Sequence, residues 1–433
     1  MSTALSLEQA PPLSVPLRFF LTAPLFGAAS AVLLLWVGPE ALQSRWTPAA
    51  LALTHLFALG ALTMVMCGAL FQMLPVLVGV KVTRPRLWGG ICHVLLVLGT
   101  LSLAAGFLTA APASFRLAVI LLAAGLGLFL VVIGTGLLRA PRLQDSVRGM
   151  RWACGGLAVT LGFGITLTLG HGWESLPILR VPLTDLHLSW GLLGWVAALI
   201  AVVSWQVIPM FQMTPEYPPV LRRWLAAGVL VLLVWFGISA AVNWPGSTWP
   251  LAGLALLLIA FAGLTLWLLT RRRRTVGDTN LSYWRLGMVA LIAAALLAIA
   301  GRLGMMVPGS RLALAPAVLF LAGFALSVVS GMLYKIVPFL VWLHLQQRIG
   351  ENPAARGSIA PPNMRAVIRE PRARAQWWLH TAALTLLLAG LVFPILLRPA
   401  ALLWLASFAM LGYNLVTAAR LYRRECARIA ACT

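Results

Sequence analysis

Twelve stretches of this 433-residue chain each run for roughly twenty apolar residues, and that pattern limits the fold more than any motif does. A stretch of that length crosses a bilayer core of about 30 Å as a helix, the one open-ended structure that pairs its own backbone N–H and C=O groups. The expected spans are 19–38, 49–79, 87–110, 116–138, 151–170, 182–213, 222–243, 249–270, 284–306, 311–344, 376–397 and 399–420. Apolar residues make up 61% of the chain and charged residues 10%, which excludes a soluble domain. The expected class is all-α and polytopic, with the lipid bilayer as its surroundings.

The net charge of +22 does not point to nucleic acid, because the charge is sorted by topology. Of 32 Lys and Arg residues, all but Arg45, Arg116, Arg180, Arg302, Arg311 and Arg398 fall on or beside the loops after even-numbered spans, toward the termini or, for Lys335, near the same end of the tenth span. The positive-inside rule then places both termini in the cytoplasm of a bacterial-type inner membrane. Five cysteines are present but no C-x-x-C, so a thioredoxin motif, a zinc ribbon and a covalent c-type haem attachment are all absent.

A five-residue phrase recurs three times: Phe71-Gln72-Met73-Leu74-Pro75, Trp205-Gln206-Val207-Ile208-Pro209 and Tyr334-Lys335-Ile336-Val337-Pro338. Gly60, Gly194 and Gly323 stand at the same distance before the three prolines. The repetition implies three four-helix units, approximately 17–140, 148–274 and 281–421, with the phrase on the long second span of each. Residues 346–375, rich in Pro and Gly, are expected to form a flexible cytoplasmic loop, and the basic tail after Arg420 a short surface helix.

Proline within a helix frees the carbonyl four residues earlier, which the polar residue of the phrase is placed to satisfy directly or through water. One reading is structural, a helix irregularity copied with its unit. The other is that Gln72, Gln206 and Lys335 line a polar pathway from the cytoplasm, since a lysine within a span is a functional candidate by default.

Six histidines remain. His55, His171 and His187 lie toward the periplasmic ends of their spans, and His93, His344 and His380 toward the cytoplasmic side. His55 precedes its proline by 20 residues and His187 by 22, so each sits about 30 Å of helix away from the phrase. Two equivalent long helices therefore carry an imidazole at matching depth. His55 and His187 are the leading cofactor ligands, with His171 as a third metal candidate and Asp185 and Glu174 nearby as supporting carboxylates. His93, His344 and His380 are secondary ligand candidates. No phosphate loop, H-E-x-x-H motif or nucleophile elbow is present.

This architecture, with the stretches Thr54-His55-Leu56-Phe57-Ala58-Leu59-Gly60 and Leu186-His187-Leu188-Ser189-Trp190-Gly191, resembles subunit I of the haem–copper oxidase superfamily. It also resembles the NnrS-type haem proteins of nitric oxide metabolism. The resemblance implies that His55 binds haem b and that His187, by its place on the sixth helix, binds copper or haem. It further implies an electron donor protein or respiratory subunit as partner. The chain departs from the family pattern in three places. The region Leu314 to Gly331 has no histidine, the seventh span lacks the family's histidine pair, and Gly191 stands where the family has tyrosine. A full oxygen-reducing binuclear site is thus not expected; the resemblance still supports a reduced relative that binds haem b, or haem plus a metal, with fewer ligands, and leaves oxidoreductase activity open. Two other readings stay open from the residues alone: a small-solute permease and a cofactor-free assembly subunit.

Overall fold

A computed structural model describes residues 10–140, 144–173, 180–242, 244, 246 and 248–432. The chain is 85% helical and among the described residues has no strand. Twelve helices are long and apolar enough to cross a membrane. The first unit comprises α1 (Ser14–Leu42), α2 (Pro48–Val76), α3 (Pro85–Thr109) and α4 (Pro112–Arg139). The second comprises α5 (Asp145–Gly172), α6 (Val181–Gln212), α7 (Pro219–Ala241) and α8 (Thr248–Thr270). The third comprises α9 (Thr279–Arg302), α10 (Arg311–Glu351), α11 (Glu370–Val392) and α12 (Pro394–Ala430). This is an integral, multi-pass membrane protein.

Local chemistry starts the helices where the apolar runs begin. Pro48, Pro85, Pro112 and Pro219 each open a helix, where the missing N–H costs no hydrogen bond. Thr47 caps α2 by accepting from the Ala50 N–H, and Asp278 caps α9 by accepting from the Leu281 N–H. The units then close into a ring: α4 packs on α5, α8 on α9, and α12 back on α1. The helices that bear the phrase form the inside of that ring. Within their most apolar windows α2, α6 and α10 bury 67%, 72% and 61% of residues, against 28–50% for the other nine. The outer helices leave large apolar side chains such as Leu25, Trp36, Leu138, Val220 and Ile395 exposed, and these meet lipid.

One backbone feature recurs in all three long helices. α2, α6 and α10 each contain a π-helical segment, at Leu56–Thr63, Trp190–Ala197 and Leu319–Ala325. All three begin 19 residues before the proline of their unit, and each contains its unit's glycine. π-Helical turns are rare, and here three occur at one register relative to the prolines. The glycine is required by close approach to the first helix of the same unit. A Cβ on Gly60 would lie 2.3 Å from Phe26, and one on Gly323 would lie 2.7 Å from Ala290. In the second unit the glycine that the approach requires is on the first helix instead: a Cβ on Gly156 would lie 2.2 Å from the Gly194 carbonyl oxygen, whereas one on Gly194 would come no closer than 3.2 Å to Leu233. The glycines thus mark where the second helix seats on the first, which the bare repeat did not reveal.

Two expected boundaries move. The tenth span does not end at 344 but runs to Glu351, and α11 starts at Glu370, so the expected loop 346–375 shrinks from both ends. What remains carries buried Ala355, Ile359, Val367 and Ile368, and Asn352 Nδ2 donates to the Ile429 and Cys432 carbonyls at 2.9 and 3.2 Å. The tail after Arg420 is not a separate surface helix. It continues α12 to Ala430, because it holds no Pro or Gly and its Ile429 is buried.

Candidate histidine site

His55 is the last residue before the π segment of α2, and His187 lies three residues before that of α6. The two rings face each other, with centres 6.2 Å apart and planes within 18° of parallel. Each ring is anchored through Nδ1 to a backbone carbonyl: His55 to Leu51 O at 2.8 Å, and His187 to Thr160 O of α5 at 3.1 Å. With Nδ1–H donating to that carbonyl, each ring takes the tautomer whose lone pair is on Nε2. The Thr160 contact explains a second feature of the sequence. Gly164, one turn along α5, leaves room for the His187 ring, since a Cβ there would lie 2.9 Å from His187 Cε1.

Around the pair the walls are aromatic. Phe107 of α3 lies 5.3 Å from His55 and 5.9 Å from His171, and Phe115 of α4 stacks on His171 at 4.9 Å. The three histidines expected toward one face are therefore gathered, but His171 joins through phenylalanine rather than by facing the pair. Among the described residues no three His, Cys, Asp or Glu side chains converge as a metal-holding group. Asp185 does not support His187. Its carboxylate pairs with Arg45 at 2.6 Å, which ties the α1–α2 connection to α6. Glu174 lies outside the described residues. Trp195 Nε1 donates to Thr63 Oγ1 at 3.2 Å and so joins the π segments of α6 and α2 directly.

The other three histidines are separate from this pair and from each other. His93 Nε2 lies 2.9 Å from Thr22 Oγ1. His380 is buried in α11, with Nε2 2.8 Å from Ser327 Oγ. His344 has both ring nitrogens on carbonyls, Nδ1 to Leu340 O at 2.8 Å and Nε2 to Pro11 O at 3.0 Å, so neither is available to a metal.

At the other end of the long helices the phrase residues have three different environments. Lys335 Nζ lies 2.6 Å from Asp278 Oδ2, and Arg274 Nη2 lies 3.4 Å from the same oxygen. Gln212 Nε2 contacts Asp278 Oδ1 at 3.3 Å and Asn280 Oδ1 at 2.8 Å, and Asn280 Nδ2 donates to Gly331 O at 2.8 Å. Burial acts to raise the Asp278 carboxyl, but Lys335, with help from the Leu281 N–H and Gln212, holds it below the usual carboxylate range. Gln206 is half-buried. Gln72 is buried, and neither atom of its amide has a partner among the described residues, so it does not itself satisfy the carbonyl freed by Pro75.

Asp278 was not visible as the partner of Lys335, because it stands just outside an apolar run. The usable signal was the acidic cap between the run Arg271–Arg274 and α9. Thr160 and Gly164 carried no such signal, since one contributes a carbonyl and the other an absence of side chain.

No protein-family model matches this chain, and no curated protein is significantly similar to it in sequence.

Proposed function

We propose that this protein binds haem b through His55 and His187 and acts in respiratory or nitric-oxide-linked redox metabolism. The observation that supports this reading is the histidine pair itself. Two equivalent helices bring their imidazoles to ring centres 6.2 Å apart, so one group could be held by both if the rings turn until their in-plane Nε2 lone pairs converge on it. Both rings also have the Nδ1–carbonyl anchor that orients a ligating histidine and raises its basicity. Bound there, haem would supply one-electron chemistry. The chain's own part is to hold two half-buried imidazoles in one tautomer and to set Phe107 against His55. Copper in place of haem has less support, because the pair lacks a third ligand among the described residues.

In this reading the basic loops face the cytoplasm of a bacterial-type inner membrane, both termini lie on that side, and the histidine pair lies toward the periplasm, where an electron donor protein would dock. Lys335 is ion-paired to Asp278, the residue that caps α9, and so links α10 to the start of α9. The test is the visible spectrum of the protein purified from cells supplied with haem. A Soret band that is lost in His55→Ala and in His187→Ala, with retention of fold by circular dichroism, is the expected result. A colourless wild-type protein would refute the proposal.

A further inference from the structure

The three long helices do not close completely on one another. Between α2, α6 and α10 lies a cavity of about 60 Å³ with no polar atom in its wall. Its lining repeats with the units. Val65, Leu199 and Val328 lie ten residues before their prolines and Ala69, Val203 and Met332 six before, and the residues nine before also line it. Equivalent positions of all three long helices therefore meet at the cavity, and Trp284 of α9 completes its wall. Two and five before the proline the register breaks in α6 only, and at two before it Met73 and Ile336 line the cavity while the equivalent Val207 does not. Leu70 and Leu333 line the cavity, but the equivalent Ser204 does not, and its hydroxyl is turned onto the Ala201 carbonyl at 2.6 Å. The phrase residues Gln72, Gln206 and Lys335 are likewise absent from the wall.

We infer that this cavity is a binding site for a small apolar gas molecule of two or three heavy atoms. Water is a poor occupant. The volume exceeds the roughly 10–15 Å³ that one water needs, but a buried water requires two to four polar partners, and the wall offers none. Apolar cavities that stay dry take up apolar ligands of matching size, xenon among them. The surrounding bilayer is the phase in which such gases concentrate, and the outer helices lie between it and the cavity. The site lies about 15 Å along the helices from His55, since ten residues separate His55 from Val65. It stands on its own geometry and does not depend on haem at the histidine pair.

Xenon tests this directly. In crystals of the full-length protein pressurised with xenon, an anomalous peak is expected between α2, α6 and α10. Val203→Phe and Ala69→Leu each fill part of the volume and are expected to lower xenon occupancy there at least tenfold. The second variant is the milder one, and it serves if the first fails to fold. Absence of that peak in the wild type, density for a lipid acyl chain or ordered water in the cavity, or a peak that persists there in a folded Ala69→Leu variant would each overturn the inference. None of these readouts uses the colour of the protein, so they fail or succeed separately from the haem assignment.

Discussion

The two ends of the long helices carry the same repeat but differ among the three units in opposite ways. At the phrase end the three units share a sequence but not an environment. Lys335 is ion-paired to Asp278, Gln206 is half-buried, and Gln72 is buried without a partner. At the π end the three units share a backbone geometry, and two of them carry a histidine at nearly the same depth. The difference shows that repetition in sequence and convergence in space are separate clues. The phrase marks the repeat, whereas the functional candidate lies where two units place the same chemistry against each other.

The largest expected effect belongs to the phrase end. Asp278→Asn leaves Lys335 and Arg274 without their carboxylate, and breaking such a pair costs about 3–5 kcal/mol when it is buried. Thermal or denaturant unfolding in a fixed detergent measures it. The double variant Asp278→Asn with Lys335→Gln is expected to recover part of the loss, and full additivity would show that the pair is not coupled. If the two ends are independent, neither variant changes the spectrum of the histidine site.

Gly156→Ala comes next. Its Cβ would meet the Gly194 carbonyl oxygen at 2.2 Å, backbone against backbone, so α5 must shift from α6 at a cost of about 1–3 kcal/mol. Gly164→Ala on the same helix is expected to affect stability less and ligation more. Its Cβ would press on His187 Cε1 at 2.9 Å and turn the ring off the Thr160 carbonyl. Equal spectral effects of the two glycine variants would argue that α5 acts only as a scaffold.

Acid separates the ends in another way. The Asp278 carboxyl is depressed in the folded state, so its contribution is fully present above the ordinary carboxylate value of about 4. It is lost as pH falls through the folded value. Unfolding midpoints are therefore expected to be flat from about pH 5 to 8 with respect to this group, and the acid-side decline should be shallower in Asp278→Asn. The smallest effect is at Gln72. Replacement by Met removes a buried amide that has no partner among the described residues, and is expected to be neutral or to stabilise by about 1 kcal/mol. A loss of more than that would show that the amide makes an interaction essential to the first unit.

The sequence revealed the helices because apolar run length is a one-dimensional property. The twelve expected spans correspond one to one to the twelve helices, with ends displaced most at Asp145, Glu351, Glu370 and Ala430, where polar residues continue a helix beyond the apolar run. The approach of His55 to His187 was legible in their offsets from the prolines. The rest depended on three dimensions. The π segments follow from how closely α2, α6 and α10 seat on their neighbours, and Gly60, Gly194 and Gly323 reported that constraint without stating its form. Asp278 lies in a loop by sequence, yet it meets Lys335 across the start of α9. Asp185 stands two residues from His187 but turns to Arg45, since a nearby cation is a better partner for a carboxylate than a ring already held by a carbonyl.

The visible absorption spectrum tests the central claim most directly. Protein purified from cells supplied with haem is expected to show a Soret band that survives Asp278→Asn and disappears in His55→Ala and His187→Ala. A wild-type protein with no such band, or a band unchanged by loss of both histidines, would contradict the assignment of His55 and His187 as the cofactor ligands.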